Sequence, residues 1–151
     1  VVCRRQRQMC IRDRSKNIEL PKYETNSSSG MDLSANIEKQ IKIEPGKTSI
    51  IPTGISVSIP KNFEIQIRSR SGLAAKSQIS VLNSPGTIDA DYRGELKVIL
   101  INLSNKTFVV ERGTRIAQMV LCPIVKAKFK EVDSLDDTNR GVGGFGSTGL
   151  K

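Results

Sequence analysis

The chain has 151 residues and a formal net charge of +9, with 24 lysines and arginines against 15 aspartates and glutamates. This length suits one domain with a buried core, and the basic balance suits a polyanionic ligand, either nucleic acid or a nucleotide. Histidine is absent, which excludes Ser-His-Asp and Cys-His catalysis and histidine-liganded zinc. Any activation of water therefore depends on a carboxylate, a metal ion or both.

Targeting and cross-linking features are also missing from the sequence. No apolar run approaches the roughly 18 residues of a membrane-spanning helix, and there is no signal-peptide layout. The three cysteines form no CxxC pair, so neither a disulfide framework nor a zinc site is indicated. We therefore expect a cytoplasmic protein that does not enter a membrane.

Residues 1–14 (VVCRRQRQMCIRDR) carry five arginines and one aspartate, which is +4 of the total charge. They show no hydrophobic period and no cap. A basic arm for nucleic acid is one interpretation, and a disordered or non-native leader from a vector, tag or adapter is the one we favour. We exclude this leader from the predicted fold, which we expect to begin at residue 15.

Short strands separated by turns are predicted along most of the remaining chain. Apolar and polar residues alternate with period two, and Pro, Gly and Asn punctuate the segments. The only helical candidate is residues 71–76. Many short strands of this kind predict an all-β fold of jelly-roll type, with strands at residues 37–43, 50–51, 55–59, 63–68, 79–82, 96–103, 107–110, 116–121 and 126–132.

The segment from 136 to 151 has a different composition, rich in Gly, Ser, Thr and Asp with a single Phe. Composition alone favours a disordered tail. The predicted β domain accordingly covers residues 15–135.

The most informative stretch is residues 86–95 (GTIDADYRGE), which follow an Asn-Ser-Pro-Gly turn and precede an apolar strand. Two carboxylates, one Tyr and one Arg are thereby placed in a bend between strands. On these ten residues alone, a charged surface hairpin and a ligand-binding bend remain equally open.

Four further blocks accompany this bend in a fixed order, at residues 29–35 (SGMDLSA), 70–74 (RSGLA), 113–119 (GTRIAQM) and 140–149 (RGVGGFGSTG). Together the five blocks closely resemble the five motifs of trimeric dUTPases, the deoxyuridine triphosphate nucleotidohydrolases. The resemblance extends from about residue 16 to the C-terminus. Ser29 stands where the family usually has Ala, and Ser69 where it usually has Pro.

The resemblance implies a distorted jelly-roll β-barrel assembled as a homotrimer, with active sites shared between subunits and closed by the C-terminal arm. It implies hydrolysis of dUTP to dUMP and pyrophosphate by attack of water on the α-phosphorus, which keeps uracil out of DNA and supplies dUMP for thymidylate synthesis. Asp89 is implied as the general base. A carboxylate is too weak a base to deprotonate water in advance, so it would accept the proton as the bond forms.

The remaining site residues are assigned through the same resemblance. Tyr92 would pack on the sugar and leave no space for a 2′-hydroxyl, and Phe145 would stack on uracil. Arg70 and the N–H groups of the helix start are chemically suited to phosphate oxygens. The full substrate-binding set is Arg70, Ser71, Gly72, Asn83, Gly86, Thr87, Ile88, Tyr92, Lys97, Gln118, Arg140, Phe145, Gly146, Ser147 and Thr148.

The implied cofactor is Mg²⁺, held mainly by the phosphates and by water, as this ion's retention of water suggests. Asp32, expected in a loop, would lie in its outer coordination sphere; a purely turn-forming role for this residue is equally open. Arg115 is interpreted as structural and Asp91 as a residue that bonds turn N–H groups.

Three other functions remain as alternatives. A dCTP deaminase of the same fold would need a catalytic Glu where Asp89 stands, and a different tail. A nucleotide-binding regulatory protein of this fold would have lost residues such as Arg70 and Gln118. A basic nucleic-acid-binding barrel rests on net charge, but aromatic residues for base stacking are few, so nucleic acid is an unlikely partner.

Overall fold

The computed structural model describes residues 9–13 and 19–144. The described part contains ten strands and one short helix, which confirms the prediction of an all-β fold. The elements are β1 Cys10–Asp13, β2 Met31–Ser34, β3 Ile41–Ile43, β4 Thr48–Ser58, β5 Phe63–Arg68, α1 Ser71–Ser77, β6 Ile79–Val81, β7 Gly86–Ile88, β8 Glu95–Asn102, β9 Phe108–Val110 and β10 Arg115–Pro123. No helix among the described residues has the length and apolar character needed to cross a membrane.

The strands form two four-stranded sheets and one two-stranded ribbon. The sheet orders are β1-β4-β8-β6, β2-β10-β5-β7 and β3-β9, and the pairings among these described strands are antiparallel. Period-two alternation turns one face of each four-stranded sheet inward. The fully buried side chains come from both sheets and include Leu33, Ile51, Leu100 and Met119. This two-sheet arrangement is the one expected of a jelly roll.

Strand β4 is the longest described strand, because it joins the two strands predicted at 50–51 and 55–59 into one. The Pro-Thr-Gly sequence at 52–54 does not end the strand but forms a β-bulge, where the register with β8 shifts between Pro52 and Ser56. Gly54 has φ +73°, a conformation that glycine adopts without steric cost. The bulge explains how a proline is accommodated within a paired strand.

A buried asparagine fastens the other end of β8. The Asn102 side chain is fully buried, and its Nδ2 donates to the carbonyls of Ile43 and Lys106, each at 2.7 Å. Its Oδ1 accepts from the backbone N–H of Ser104 at 2.9 Å and from the hydroxyl of that residue at 2.7 Å. A fully bonded amide of this kind stabilises the loops that it joins.

Several boundaries differ from the sequence predictions. The strand predicted at 37–43 is reduced to β3, since residues 38–40 are exposed and polar. The strand predicted at 126–132 is absent: these residues have no partner strand in the described part, and Phe129 is 99% exposed. Residues 86–88 of the predicted bend are strand β7, paired with β5.

Residues 10–13, which we expected outside the fold, form β1 and pair with β4. Strand pairing uses backbone groups, so a segment without a hydrophobic period can still add to a sheet edge. Within β1, Ile11 packs against the core.

Two buried hydroxyls on β4 differ in hydrogen bonding, so their contributions to the free energy of unfolding can be compared. Thr53 is fully buried, and its hydroxyl donates to the Leu96 carbonyl at 2.6 Å. Ser56 is 6% exposed, and its hydroxyl oxygen has no hydrogen-bond partner among the described residues. A bonded hydroxyl contributes to folding, whereas an unbonded buried one costs free energy.

We predict that Thr53→Val lowers the free energy of unfolding by about 1–3 kcal/mol, because it leaves the Leu96 carbonyl unpaired. Ser56→Ala should leave that free energy unchanged or raise it. Urea unfolding at matched protein concentration measures both. A Ser56→Ala variant as destabilised as Thr53→Val would show that the Ser56 hydroxyl is bonded.

Candidate active site

Three charged side chains from separate elements meet beside the start of α1. Asp32, on β2, accepts from Arg70 Nε at 3.0 Å through Oδ1 and from Arg115 Nη1 at 3.1 Å through Oδ2. Arg70 also donates through Nη1 to the Arg115 carbonyl at 3.2 Å. The group carries two positive charges and one negative charge. It leaves Arg70 Nη2 without a hydrogen bond to any described residue, so a guanidinium donor remains available to an anion.

Asp32 was expected in a loop, and that expectation is wrong. It lies in strand β2, opposite Gln118 of β10. Its side chain is only 22% exposed. The paired strands fix the carboxylate where the two arginines reach it, so Arg115, interpreted as structural, holds a candidate site residue directly.

Gln118 completes this group. Its Nε2 donates to the Ser69 carbonyl at 3.2 Å. A Cβ at Gly30 would lie 2.6 Å from Gln118 Oε1, so the glycine of the first block leaves space for this amide. Ser69, where the family usually has Pro, accepts from the Val81 N–H at 2.9 Å through its hydroxyl. Hydrogen bonding thus holds this turn without the proline ring.

Ser71 and Gly72 form the first turn of α1, and both are exposed. The preceding Arg70 has no side-chain cap. The first N–H groups of a helix lack intrahelical partners, so those of α1 face outward beside Arg70. A Cβ at Gly72 would meet no atom within 4 Å.

The second group of predicted residues lies on the turn between β7 and β8. These two strands do not form a hairpin, because β7 pairs with β5 whereas β8 pairs with β4 and β6 in the other sheet. Asp89 begins a β-turn that is closed by the Tyr92 N–H, which donates to the Asp89 carbonyl at 3.1 Å. The Asp89 side chain is exposed and makes no hydrogen bond or ion pair with a described residue. Arg93 Nη1 donates to the Ala90 carbonyl at 2.7 Å and to the Tyr92 carbonyl at 2.9 Å. The turn is therefore held by backbone acceptors, and the Asp89 carboxylate remains available.

The other predicted residues of this group lie on β7, just before it and on β8. Gly86 is buried, and a Cβ there would lie 3.1 Å from Asn83 Nδ2. Thr87 is exposed, Ile88 is half-buried and packs on the core, and Lys97 is exposed on β8. A shallow groove of about 430 Å³ runs beside them, lined by Gln66, Arg68, Ser69, Ser84 and Pro85.

The two groups lie on one sheet but do not contact each other. Strand β5 separates them: it pairs with β10 through Arg68 and Gln118, and with β7 through Ile67 and Gly86. Two strand spacings correspond to roughly 10 Å. Within the described residues, no hydrogen bond or ion pair joins Asp89 to the group of Asp32, Arg70, Arg115 and Gln118.

The tail contributes one described site residue. Arg140 is exposed, and its Nε donates to the Gly143 carbonyl at 2.8 Å within a local turn. Phe145, Gly146, Ser147 and Thr148 lie outside the described residues.

A segment before β2 also borders the charged group. Glu19 and Lys22 form an ion pair, and a cleft lined partly by both residues reaches Asp32 and Arg115. The hydrogen bond from Lys22 lowers the pKa of Glu19, and Arg115 adds a smaller effect in the same direction. The same hydrogen bond raises the pKa of Lys22. Sequence reasoning missed this segment because it carries no periodic pattern.

Comparisons with known proteins agree on one family. A model of the dUTPase family matches residues 16–149. The deoxyuridine 5′-triphosphate nucleotidohydrolase of Rickettsia bellii strain OSU 85-389 is 58% identical over 132 residues, covering 87% of this chain and 88% of the relative. The deoxyuridine 5′-triphosphate nucleotidohydrolase of Maricaulis maris is 52% identical over 141 residues, covering 92% of this chain and 93% of the relative.

Solved structures of the same family share the fold. The dUTPase of Staphylococcus bacteriophage 80alpha with dUpNHpp is 27% identical, with a TM-score of 0.82 over 96% of this chain and all of that chain. Neither a deaminase nor a regulatory binding protein is favoured by these relatives. The chain therefore belongs to the dUTPase family and is a dUTP diphosphatase.

Proposed function

We propose that Asp89 is the general base of dUTP hydrolysis. A water oxygen attacks the α-phosphorus, the bond from that phosphorus to the α,β-bridging oxygen breaks, and the Asp89 carboxylate takes the proton from the water. The products are dUMP and pyrophosphate. The observation that carries this proposal is the exposed Asp89 carboxylate, which has no described partner and lies on a turn held by backbone hydrogen bonds.

Most of the barrier reduction is assigned to charge stabilisation on the triphosphate. Phosphoryl transfer depends mainly on positioned donors and positive charge. Arg70 offers its free Nη2, Gln118 its amide, and Ser71 and Gly72 the N–H groups of the first helical turn. The net positive charge of the Asp32 group attracts the phosphates to this end of the sheet.

Mg²⁺ is the proposed cofactor. No cluster of three or more Asp, Glu, Cys or His side chains suited to a metal occurs in the described part of the chain. This agrees with an ion bound mainly by phosphates and water. Asp32 would hold one of those waters, since each of its carboxylate oxygens receives only one hydrogen bond from an arginine. When bound, the ion would neutralise phosphate charge.

The turn between β7 and β8 and the strands beside it are proposed to recognise the nucleoside. Asn83 lies beside Gly86, and the backbone groups of Gly86, Thr87 and Ile88 together with Lys97 would bond the uracil edge. Hydrogen-bonded reading discriminates strongly, because a wrong base leaves buried groups unpaired. Tyr92 would cover the sugar and exclude a 2′-hydroxyl.

We further propose a homotrimer whose sites combine residues of neighbouring subunits. The separation of Asp89 from Arg70 and Gln118 within one chain supports this. An apolar stripe on the outer face of the first sheet also supports it: Ile50 and Leu82 are 59% and 51% exposed on either side of Ile99. Exposed apolar patches of this kind favour self-association.

The segment after β10 is proposed to extend onto a neighbouring subunit. Residues 124–144 contain no strand, and Val125 and Phe129 are 98% and 99% exposed. Beyond them, Arg140 would bind the γ-phosphate and Phe145 the uracil face. Gly146, Ser147 and Thr148 would surround the terminal phosphate and exclude water.

The base assignment predicts that Asp89→Asn lowers kcat for dUTP by about 10²–10⁴-fold, because the amide does not accept the proton. Pyrophosphate release measures kcat, and titration with dUpNHpp measures binding, which should persist. Asp91→Asn is the matched control, since Asp91 is an exposed carboxylate of the same turn. Equal losses in the two variants would overturn the assignment.

The phosphate assignment predicts that Arg70→Lys lowers kcat/KM for dUTP by about 10²-fold, because a lysine cannot hold Asp32 through Nε and offer a planar donor together. Arg112→Lys, on the exposed turn before β10, is the control with the same chemical change. Steady-state kinetics with Mg²⁺ measures both. Undiminished kcat/KM in Arg70→Lys would remove this residue from the phosphate site.

The shared-site proposal predicts complementation between two inactive variants. Asp89→Asn and Arg70→Ala subunits are unfolded together at equal amounts and refolded. If each site takes its residues from different subunits, about one quarter of the sites regain both intact groups, because half of the subunits supply each one. Each variant treated alone should remain inactive. Absence of recovery in a correctly assembled mixture would place both residues in one subunit.

A further inference from the structure

The ring of Tyr92 lies directly over Gly94. A Cβ built at position 94 would lie 2.5 Å from Tyr92 Cζ and 2.9 Å from Cε2, closer than real Cβ contacts. Gly94 is not among the glycines with positive φ, so its backbone would accept an L-residue. A side chain at position 94 would therefore compete with the Tyr92 ring for the same space.

A chain of hydrogen bonds holds the ring in that place. The Tyr92 hydroxyl donates to the Glu95 carbonyl at 3.0 Å. The Glu95 side chain in turn accepts from the Gly54 N–H at 2.7 Å, through Oε1. The bulge in β4 thus anchors Glu95, and Glu95 anchors the tyrosine.

Packing fixes the bulge itself. A Cβ at Gly54 would lie 3.0 Å from Asn36 Cγ and 3.3 Å from Asn36 Cβ. The Asn36 N–H donates to the Pro52 carbonyl at 2.8 Å. The anchor of Tyr92 is therefore part of the rigid sheet, whereas the ring remains 44% exposed to a ligand.

We propose that Gly94 determines the specificity for deoxyribose by setting the position of the Tyr92 ring. The inference rests on the proposed role of Tyr92 against the sugar, and it adds residues outside the substrate-binding set. With no side chain at 94, the ring lies beside the backbone of Gly94 and bonds to the Glu95 carbonyl. A methyl group at 94 displaces the ring from this place, breaks its bond to Glu95 and removes the wall that a 2′-hydroxyl would meet.

Gly94→Ala is expected to lower the ratio of kcat/KM for dUTP to that for UTP by about tenfold or more, the range of one lost packing contact. The Asp89 carboxylate is not displaced, since the Tyr92 N–H and the Arg93 guanidinium still close its turn. The substitution should therefore reduce discrimination between dUTP and UTP, and kcat for dUTP should change much less.

The test compares wild type, Gly94→Ala, Tyr92→Ala and the double variant on dUTP and UTP. If Gly94 acts through the ring, Gly94→Ala reduces the ratio in the wild-type background and has no further effect when Tyr92 is Ala. An unchanged ratio in Gly94→Ala overturns the inference, as does an equal reduction in both backgrounds. Absence of dUTP hydrolysis in the wild type would instead refute the function on which the inference rests.

A second measurement does not depend on turnover. The chain has two tyrosines and no tryptophan, so in a Tyr23→Phe background the fluorescence comes from Tyr92 alone. Acrylamide quenching of this fluorescence should increase in Gly94→Ala because the ring leaves its place beside position 94. If Gly94→Ala fails to fold, Tyr92→Phe serves as the test in its place. This variant removes only the hydroxyl and should also lower the ratio of kcat/KM for dUTP to that for UTP. Two results would contradict the proposal that the bond to Glu95 and the space at Gly94 hold the Tyr92 ring. One is acrylamide quenching of Gly94→Ala equal to that of its Tyr23→Phe parent; the other is a dUTP/UTP ratio of kcat/KM that Tyr92→Phe leaves unchanged.

Discussion

The antiparallel pairing of β4 with β8 is the constraint on which the rest of the molecule depends. At one end of β8, Asn102 satisfies its whole amide against backbone groups and joins the β3 and β9 region to the sheet. At the other end, the bulge at Gly54 holds the Glu95 carboxylate, at the point where the turn from β7 enters β8. Because buried polar groups are costly when unpaired, both ends are sharply defined. The turn that carries Asp89 and Tyr92 is consequently fixed to the core sheet.

Electrostatics organises the charged group of Asp32, Arg70 and Arg115, which lies on the other four-stranded sheet and at the start of α1. A carboxylate between two arginines keeps the guanidinium groups oriented while leaving a net positive charge, and this arrangement suits a polyanionic ligand. Oriented donors need little rearrangement when a phosphate arrives, which is the condition under which they lower a barrier most effectively. The partial burial of Asp32 and Arg70 strengthens these interactions relative to fully solvated ones.

The local residue pattern predicted the elements whose formation depends mainly on neighbouring residues. Period-two alternation located β5, the apolar, β-branched run at 96–101 located β8, and the Arg-Ser-Gly start located α1. The local pattern did not predict strand boundaries that are set by pairing with segments distant in the sequence. The Pro-Thr-Gly sequence in β4 indicated a strand end, yet pairing on both edges carries the strand through a bulge. Strand β2 was missed because its partner β10 lies about eighty residues later. Residues 126–132 have strand-like alternation and no described partner. The bond from Arg115 to Asp32, likewise, has no local signature.

A site shared between subunits requires one nucleotide to contact Asp89 of one subunit and Arg70 of another. A crystal structure of the assembled protein with dUpNHpp and Mg²⁺ tests this requirement. We expect a water beside the α-phosphorus within hydrogen-bond reach of one subunit's Asp89, with Arg70 and Gln118 of a neighbouring subunit on the phosphates. Tyr92 should lie against the sugar with its hydroxyl still on the Glu95 carbonyl. A nucleotide bound by Asp89 and Arg70 of the same chain, or with Asp89 turned away from the α-phosphorus, would contradict it.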